Sequence, residues 1–126
     1  MQFAYTIHYV DNVPDALDFY ERAFGFKRRF LDDSHSFGEL DTGNTRLSFC
    51  SRTLLQQMGK TVQKPNVKSP CSEIAFTVDD VPAAVERAVT AGATLLQAPE
   101  QMPWGQTVAY VADPEGFWVE LCTSMG

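Results

Sequence analysis

The sequence predicts an α+β fold made of two pseudo-symmetric βαβββ modules. Three observations predict it. The chain repeats itself, since "YTIHYVDNVPDALDFYERA" (5–23) lies over "EIAFTVDDVPAAVERAVTA" (73–91) with Val10, Asp11, Val13, Pro14, Ala16 and Ala23 meeting Val78, Asp79, Val81, Pro82, Ala84 and Ala91. Each copy opens on a short β-prone run and turns into an amphipathic helix. Each copy then closes on strand runs joined by Asp-, Gly-, Asn- and Pro-rich turns.

The elements follow in order. Residues 5–10 and 73–78 supply the first strand of each module. Pro14 and Pro82 suit a first helical turn, where the missing N–H is no loss. The acidic residues before them suit the positive end of the helix dipole. Leu17, Tyr20, Ala23 and Phe24 recur at helical spacing, as do Ala84, Val85, Ala88 and Val89. Gly25 and Gly92 end the helices, predicted at 13–24 and 81–91. The next strands are "FKRRFL" (26–31) and "ATLLQA" (93–98). "FGELDTGNTRLSFCS" (37–51) and "TVAYVADPEGFWVELCT" (107–123) each read as two strands, joined at Asp41–Asn44 and at Asp113–Gly116. This gives one domain over 1–126, with module one at 1–51, a linker at 52–71 and module two at 72–126. The linker is polar, with Pro65 and Pro70, and one helical turn is expected at Leu54–Met58.

The totals exclude several functions. A chain of 126 residues with 44% apolar and 21% charged residues suits a soluble domain with its own core. A net charge of -6 is the wrong sign for a nucleic-acid footprint. No apolar run approaches the ~20 residues of a membrane helix. "MQFAYTIHYVDNV" has no basic start, apolar h-region or cleavage site, so no signal peptide is expected. Cys50, Cys71 and Cys122, without CxxC spacing, fit reduced thiols in a cytoplasm.

The segments "YVDNVPDALDFYERAFGF" (9–26), "FTVDDVPAAVERAVTAGA" (76–93) and "DPEGFWVEL" (113–121) resemble the vicinal oxygen chelate superfamily. That superfamily contains glyoxalase I, extradiol dioxygenases, and bleomycin- and fosfomycin-resistance proteins. The resemblance implies sheets curled around a shared cavity, frequent homodimerisation, and, in metal-using members, a ligand from the first and last strand of each module. Aligning the repeat puts these four positions at Tyr5, Ser48, Glu73 and Glu120. The superfamily usually has histidine at the first-strand positions and glutamate or glutamine at the last-strand ones. This chain keeps only Glu120. His8 lies three residues from Tyr5, so alternation sends it to the helix side, and His35 sits in the polar "DDSHS" loop.

A catalytic zinc site takes about three His, Cys or carboxylate ligands. The expectation is therefore no metal or other cofactor. A divalent ion, if one is held, falls to Glu73 and Glu120. Tyr5, Tyr9, Arg46, Ser48, Glu73, Trp104, Trp118 and Glu120 are the expected ligand-binding residues. Arg46 binds an anionic group or pairs with Glu73 or Glu120. Trp104, in "MPWGQ" (102–106), either lids a ligand or tucks against a sheet. Glu120 sits in an apolar strand and needs a partner, for which Tyr5, Arg46 or a cationic ligand is expected. Ser48 lacks a His–Asp pair, and no catalytic residue is assigned.

Two functions follow. The first is metal-free sequestration of a small organic molecule, as in antibiotic-resistance proteins of the bleomycin type. The alternative is a metal-dependent lyase, isomerase or dioxygenase resembling lactoylglutathione lyase and using Glu73 and Glu120. The expected protein is cytoplasmic and homodimeric, binding neither nucleic acid nor membrane.

Overall fold

The computed structural model describes residues 1–125. The described chain forms β1 (Thr6–Val10), α1 (Val13–Phe24), β2 (Lys27–Leu31), β3 (Phe37–Asp41), β4 (Leu47–Ser51), α2 (Arg52–Gln57), β5 (Glu73–Thr77), α3 (Val81–Thr90), β6 (Thr94–Gln101), β7 (Thr107–Ala112) and β8 (Trp118–Cys122). It divides into two compact units, Met1–Lys64 and a second from Pro65 onward. Each unit holds one four-stranded mixed sheet, in the orders β1-β4-β3-β2 and β5-β8-β7-β6. The expected order of strand, helix and three strands is present in both. Each sheet contains one parallel pair, between its first and last strand, and its other pairs are antiparallel.

The helices start and stop for local reasons. Asn12 and Asp80 cap α1 and α3 by accepting from the backbone N–H of Asp15 and Ala83, at 2.9 and 3.0 Å. Pro14 and Pro82 stand in the first turns. Gly25 ends α1 with φ 78° and donates its N–H to the Glu21 carbonyl. The linker departs from expectation at its beginning. Ser51 caps α2 through Leu54 N–H at 3.2 Å, so the helix already includes Arg52 rather than starting at Leu54. Arg52 is buried. It donates to the Tyr9 carbonyl at 2.5 Å and holds Asp11 at 2.9 Å. Lys64 reaches the same Asp11 at 3.1 Å. A charge this deep requires such partners, which is why this part of the linker is ordered structure.

The sheets bury one face against their own helix. In unit 1, Val10, Phe49 and Leu40 meet Val13, Leu17, Tyr20 and Ala23, all buried. Gly38 lies on this face, and a side chain there would have to displace Leu17. A β-carbon there would stand 2.7 Å from Leu17 Cδ1 and 3.2 Å from Val13 Cγ1. In unit 2, Ala109, Val111, Val119 and Leu121 face Val81, Val85 and Ala88.

His8 belongs to the helix face, as alternation requires. It is buried, edge-on to Phe49 with ring centroids 6.2 Å apart. Burial disfavours the charged ring and lowers its pKa to about 4. The unfolded chain takes up the proton near pH 6.5, so stability is full above that value. It falls as the pH drops from about 6.5 to about 4, by up to ~3 kcal/mol. Chemical denaturation across this range should show that loss, and a His8→Leu variant should lack its histidine component.

Candidate functional site

The face of each sheet that turns away from its helix carries the polar and aromatic side chains. In β8, Val119 and Leu121 go to the core, which leaves Trp118, Glu120 and Cys122 on the open face. Strand register decides their neighbours. Glu73 pairs with Trp118 and Ala75 with Glu120 across β5 and β8. Tyr110 pairs with Glu120 across β7 and β8.

The Tyr110 hydroxyl donates to Glu120 Oε1 at 3.0 Å. Glu120 therefore has a tyrosine partner, but it is Tyr110 and neither Tyr5 nor Arg46. Glu73 is exposed at the head of β5; partial desolvation raises its pKa, the charge of Glu120 raises it further, and hydrogen bonding by Tyr110 opposes both. Burial, the bond to Glu120 and the charge of Glu73 push Tyr110 up to about 12. Cys122 is raised by burial and then by Glu120. Among the described residues, no salt bridge reaches Glu73 or Glu120.

Trp118 is half-buried beside Tyr110, with ring centroids 5.3 Å apart and planes tilted by 55°. Its indole N–H donates to the Val67 carbonyl at 2.7 Å, which fixes the ring. Trp104 is not gathered into this group. It is exposed in the turn between β6 and β7, and its N–H donates to Gln106 of the same turn at 2.7 Å.

The open face of unit 1 is built differently. Ser48 is fully buried and donates to Glu39 Oε1 at 2.9 Å. Arg29 Nε lies 3.2 Å from Glu39 Oε2. Tyr5, just ahead of β1, stands edge-on to Phe37 at 6.4 Å. Tyr9 is partly exposed on β1, opposite Cys50. Burial raises the Cys50 thiol. Arg46 is exposed just before β4 and joins the structure through its carbonyl, which accepts from Thr6 N–H at 2.9 Å.

Three participants escaped the sequence reading: Tyr110, Glu39 and Arg29. The first two were within reach. Closing the hairpin about residues 113–116 sets Tyr110 opposite Glu120, and closing the one about 41–46 sets Glu39 opposite Ser48. Arg29 was not, because a bulge in β2 breaks the alternation.

The donor set is thin for a metal. Among the described residues, no three or more His, Cys, Asp or Glu side chains cluster to hold an ion. Unit 2 offers two carboxylates, and the Tyr110 hydroxyl between them stays protonated at neutral pH. These residues do not fit the set of about three good ligands that a catalytic zinc or non-haem iron centre takes.

The sequence profile of the glyoxalase/bleomycin resistance protein/dioxygenase superfamily matches residues 2–121. The chain belongs to that superfamily. Membership carries a general small-molecule-binding or enzymatic role. An uncharacterized protein of Mycobacterium bovis is 30% identical over 119 residues, covering 85% of this chain and 73% of the relative. In an uncharacterized protein of Mycobacterium tuberculosis the same identity covers 65% of the relative's length.

Superfamily structures confirm the fold. A glyoxalase-related enzyme from Fulvimarina pelagi superposes with a TM-score of 0.83 at 24% identity, over 98% of this chain and 88% of that one. The bleomycin resistance determinant encoded on transposon Tn5 does so with a TM-score of 0.68 at 21% identity, over 98% of both chains. No helix of the described residues is long and apolar enough to cross a membrane.

The carboxylate pair makes a directional prediction. Glu120→Gln removes a neighbouring negative charge and should lower the pKa of Glu73. Tyr110→Phe removes a hydrogen bond that favours the charged form and should raise it. Carboxyl-carbon NMR titration of the two variants checks this, and shifts of equal sign would contradict the arrangement.

Proposed function

We propose that the chain sequesters a small organic cation without using a metal, at the aromatic and acidic face of unit 2. One observation carries this reading. Glu73 and Glu120 share a face and raise each other's energy, yet no protein cation pairs with either among the described residues. Glu39 of unit 1, by contrast, has Arg29. A ligand ammonium would fill the place that Arg29 fills in unit 1. Trp118 and Tyr110 add ring faces that attract a cation. Sequestration is the use we propose for such binding, and the superfamily's general small-molecule-binding or enzymatic role is compatible with it.

Tyr110 is then a positioning residue, since its hydroxyl aims the Glu120 carboxylate and stays protonated at neutral pH. Binding needs Glu73 ionised. Its raised pKa means that affinity falls with acidification earlier than for an ordinary glutamate.

Titration with benzylammonium and with uncharged benzyl alcohol tests the proposal. The cation should bind more tightly, and Glu120→Gln should weaken it by ~1.5–3 kcal/mol, the range for a hydrogen bond to a charged group. Denaturation of the same variant shows whether the fold survives. Equal affinity for both probes would defeat the cation assignment. Stoichiometric zinc, nickel or iron in protein purified without added metal would defeat the metal-free part and favour a lyase, isomerase or dioxygenase.

A homodimer is part of the same proposal. Each sheet ends on strands bonded on one side only, β1 and β2 in one and β5 and β6 in the other, and such edges invite a partner. Sedimentation should give a dimer, and a monomer at high micromolar concentration removes this claim.

A further inference from the structure

Unit 1 holds an arginine that has no part in the proposed cation site. The pairing of β2 with β3 slips between Arg28 and Phe30. Arg28, before the slip, pairs with Leu40 on the helix face and binds Asp18 and Glu21 of α1 at 2.6 and 3.0 Å. Phe30, after it, pairs with Glu39, and the Nε of Arg29 also reaches Glu39. The bulge thus delivers a cation and an aromatic ring, adjacent in sequence, to one face.

What lies beneath holds them still. Glu39 is 4% exposed and Ser48 is 0% exposed. The serine hydroxyl fixes one carboxylate oxygen at 2.9 Å, and the other faces Arg29 Nε. Arg29 itself has a side chain 47% exposed. A guanidinium has five N–H groups, and among the described residues Glu39 is the carboxylate that meets this one. Beside it, Phe30 stacks on Phe37 with centroids 6.0 Å apart and planes 24° apart, and Tyr5 meets Phe37 edge-on. Phe30 and Tyr5 keep 43% and 45% of their surface exposed.

We propose that unit 1 carries a second ligand site, for a planar aromatic carboxylate. The carboxylate bridges to the Arg29 guanidinium and the ring lies against Phe30 and Phe37. Two kinds of complementarity select this ligand. The guanidinium plane matches a carboxylate and is held from below by a buried counter-charge. The exposed rings offer flat apolar surface on the same face as that charge. Glu39 is a positioning residue here, because it touches the guanidinium and not the ligand. The assignment does not rest on the cation site, whose ligand has the opposite charge.

Benzoate is the probe, with neutral benzamide as its control, followed by calorimetry and by NMR of the arginine Nε and aromatic signals. Benzoate should bind, shift the Arg29, Phe30 and Phe37 signals together, and exceed benzamide in affinity by about tenfold or more. Arg29→Gln should weaken benzoate by about tenfold or more. Arg29→Lys should recover part of the loss, since it keeps the charge and not the planar fork. The proposal falls if Arg29→Gln binds benzoate like the unsubstituted protein, or if no binding is seen up to about 10 mM. Should Arg29→Gln fail to fold, the NMR map on the unsubstituted protein decides. Shifts confined to residues away from Arg29 and Phe30 overturn the site.

Discussion

Each unit depends on one parallel pairing, between its first strand and its last. Those strands are more than forty residues apart in register, as with Tyr9 and Cys50 or Thr77 and Cys122. The intervening helix must therefore cross over one face of the sheet. That crossing buries the face and leaves the other for polar chemistry. The register then fixes which side chains meet. Shifting β8 by one residue would send Glu120 into the core and Leu121 into solvent.

The two units solve one problem in opposite ways. Each open face holds a carboxylate bonded to a hydroxyl on the adjacent strand. In unit 2 the tyrosine is on β7 and the carboxylate on β8. In unit 1 the carboxylate is on β3 and the serine on β4. The exchange of places explains why the repeat pairs Glu120 with Ser48, a match that looks like the loss of an acid. The acid persists one strand over, as Glu39. Unit 1 then neutralises it internally with Arg29, while among the described residues no protein cation meets the two acids of unit 2.

Much of this was legible in the sequence, for identifiable reasons. The helices and all eight strands follow from periodicity, proline placement and turn residues, which are local signals. The side taken by His8 follows from alternation alone. Glu73, Trp118 and Glu120 were found by the same parity and do share a face. Other expected site residues were dispersed. Trp104 bonds within its own turn, and Arg46 stands exposed at the head of β4. Arg52 opens the segment that polarity, Pro65 and Pro70 mark as a linker. Its burial depends on Asp11 and the Tyr9 carbonyl, some forty residues earlier, which no local pattern announces.

The bulge in β2 has an effect beyond the side chains it aims. β2 and β6 each form one border of their sheet, and both have slipped registers. β2 adds three consecutive cations, Lys27, Arg28 and Arg29, and β6 adds Pro99 and Glu100. Irregular, charged or proline-bearing borders are poor templates for the growth of a cross-β stack. The opposite borders, β1 with "TIHYV" and β5 with "EIAFT", pair without a slip and carry little charge. The resistance of each sheet to aggregation is thus one-sided, and a fibril growing from a partly unfolded chain would recruit the first strand of each repeat.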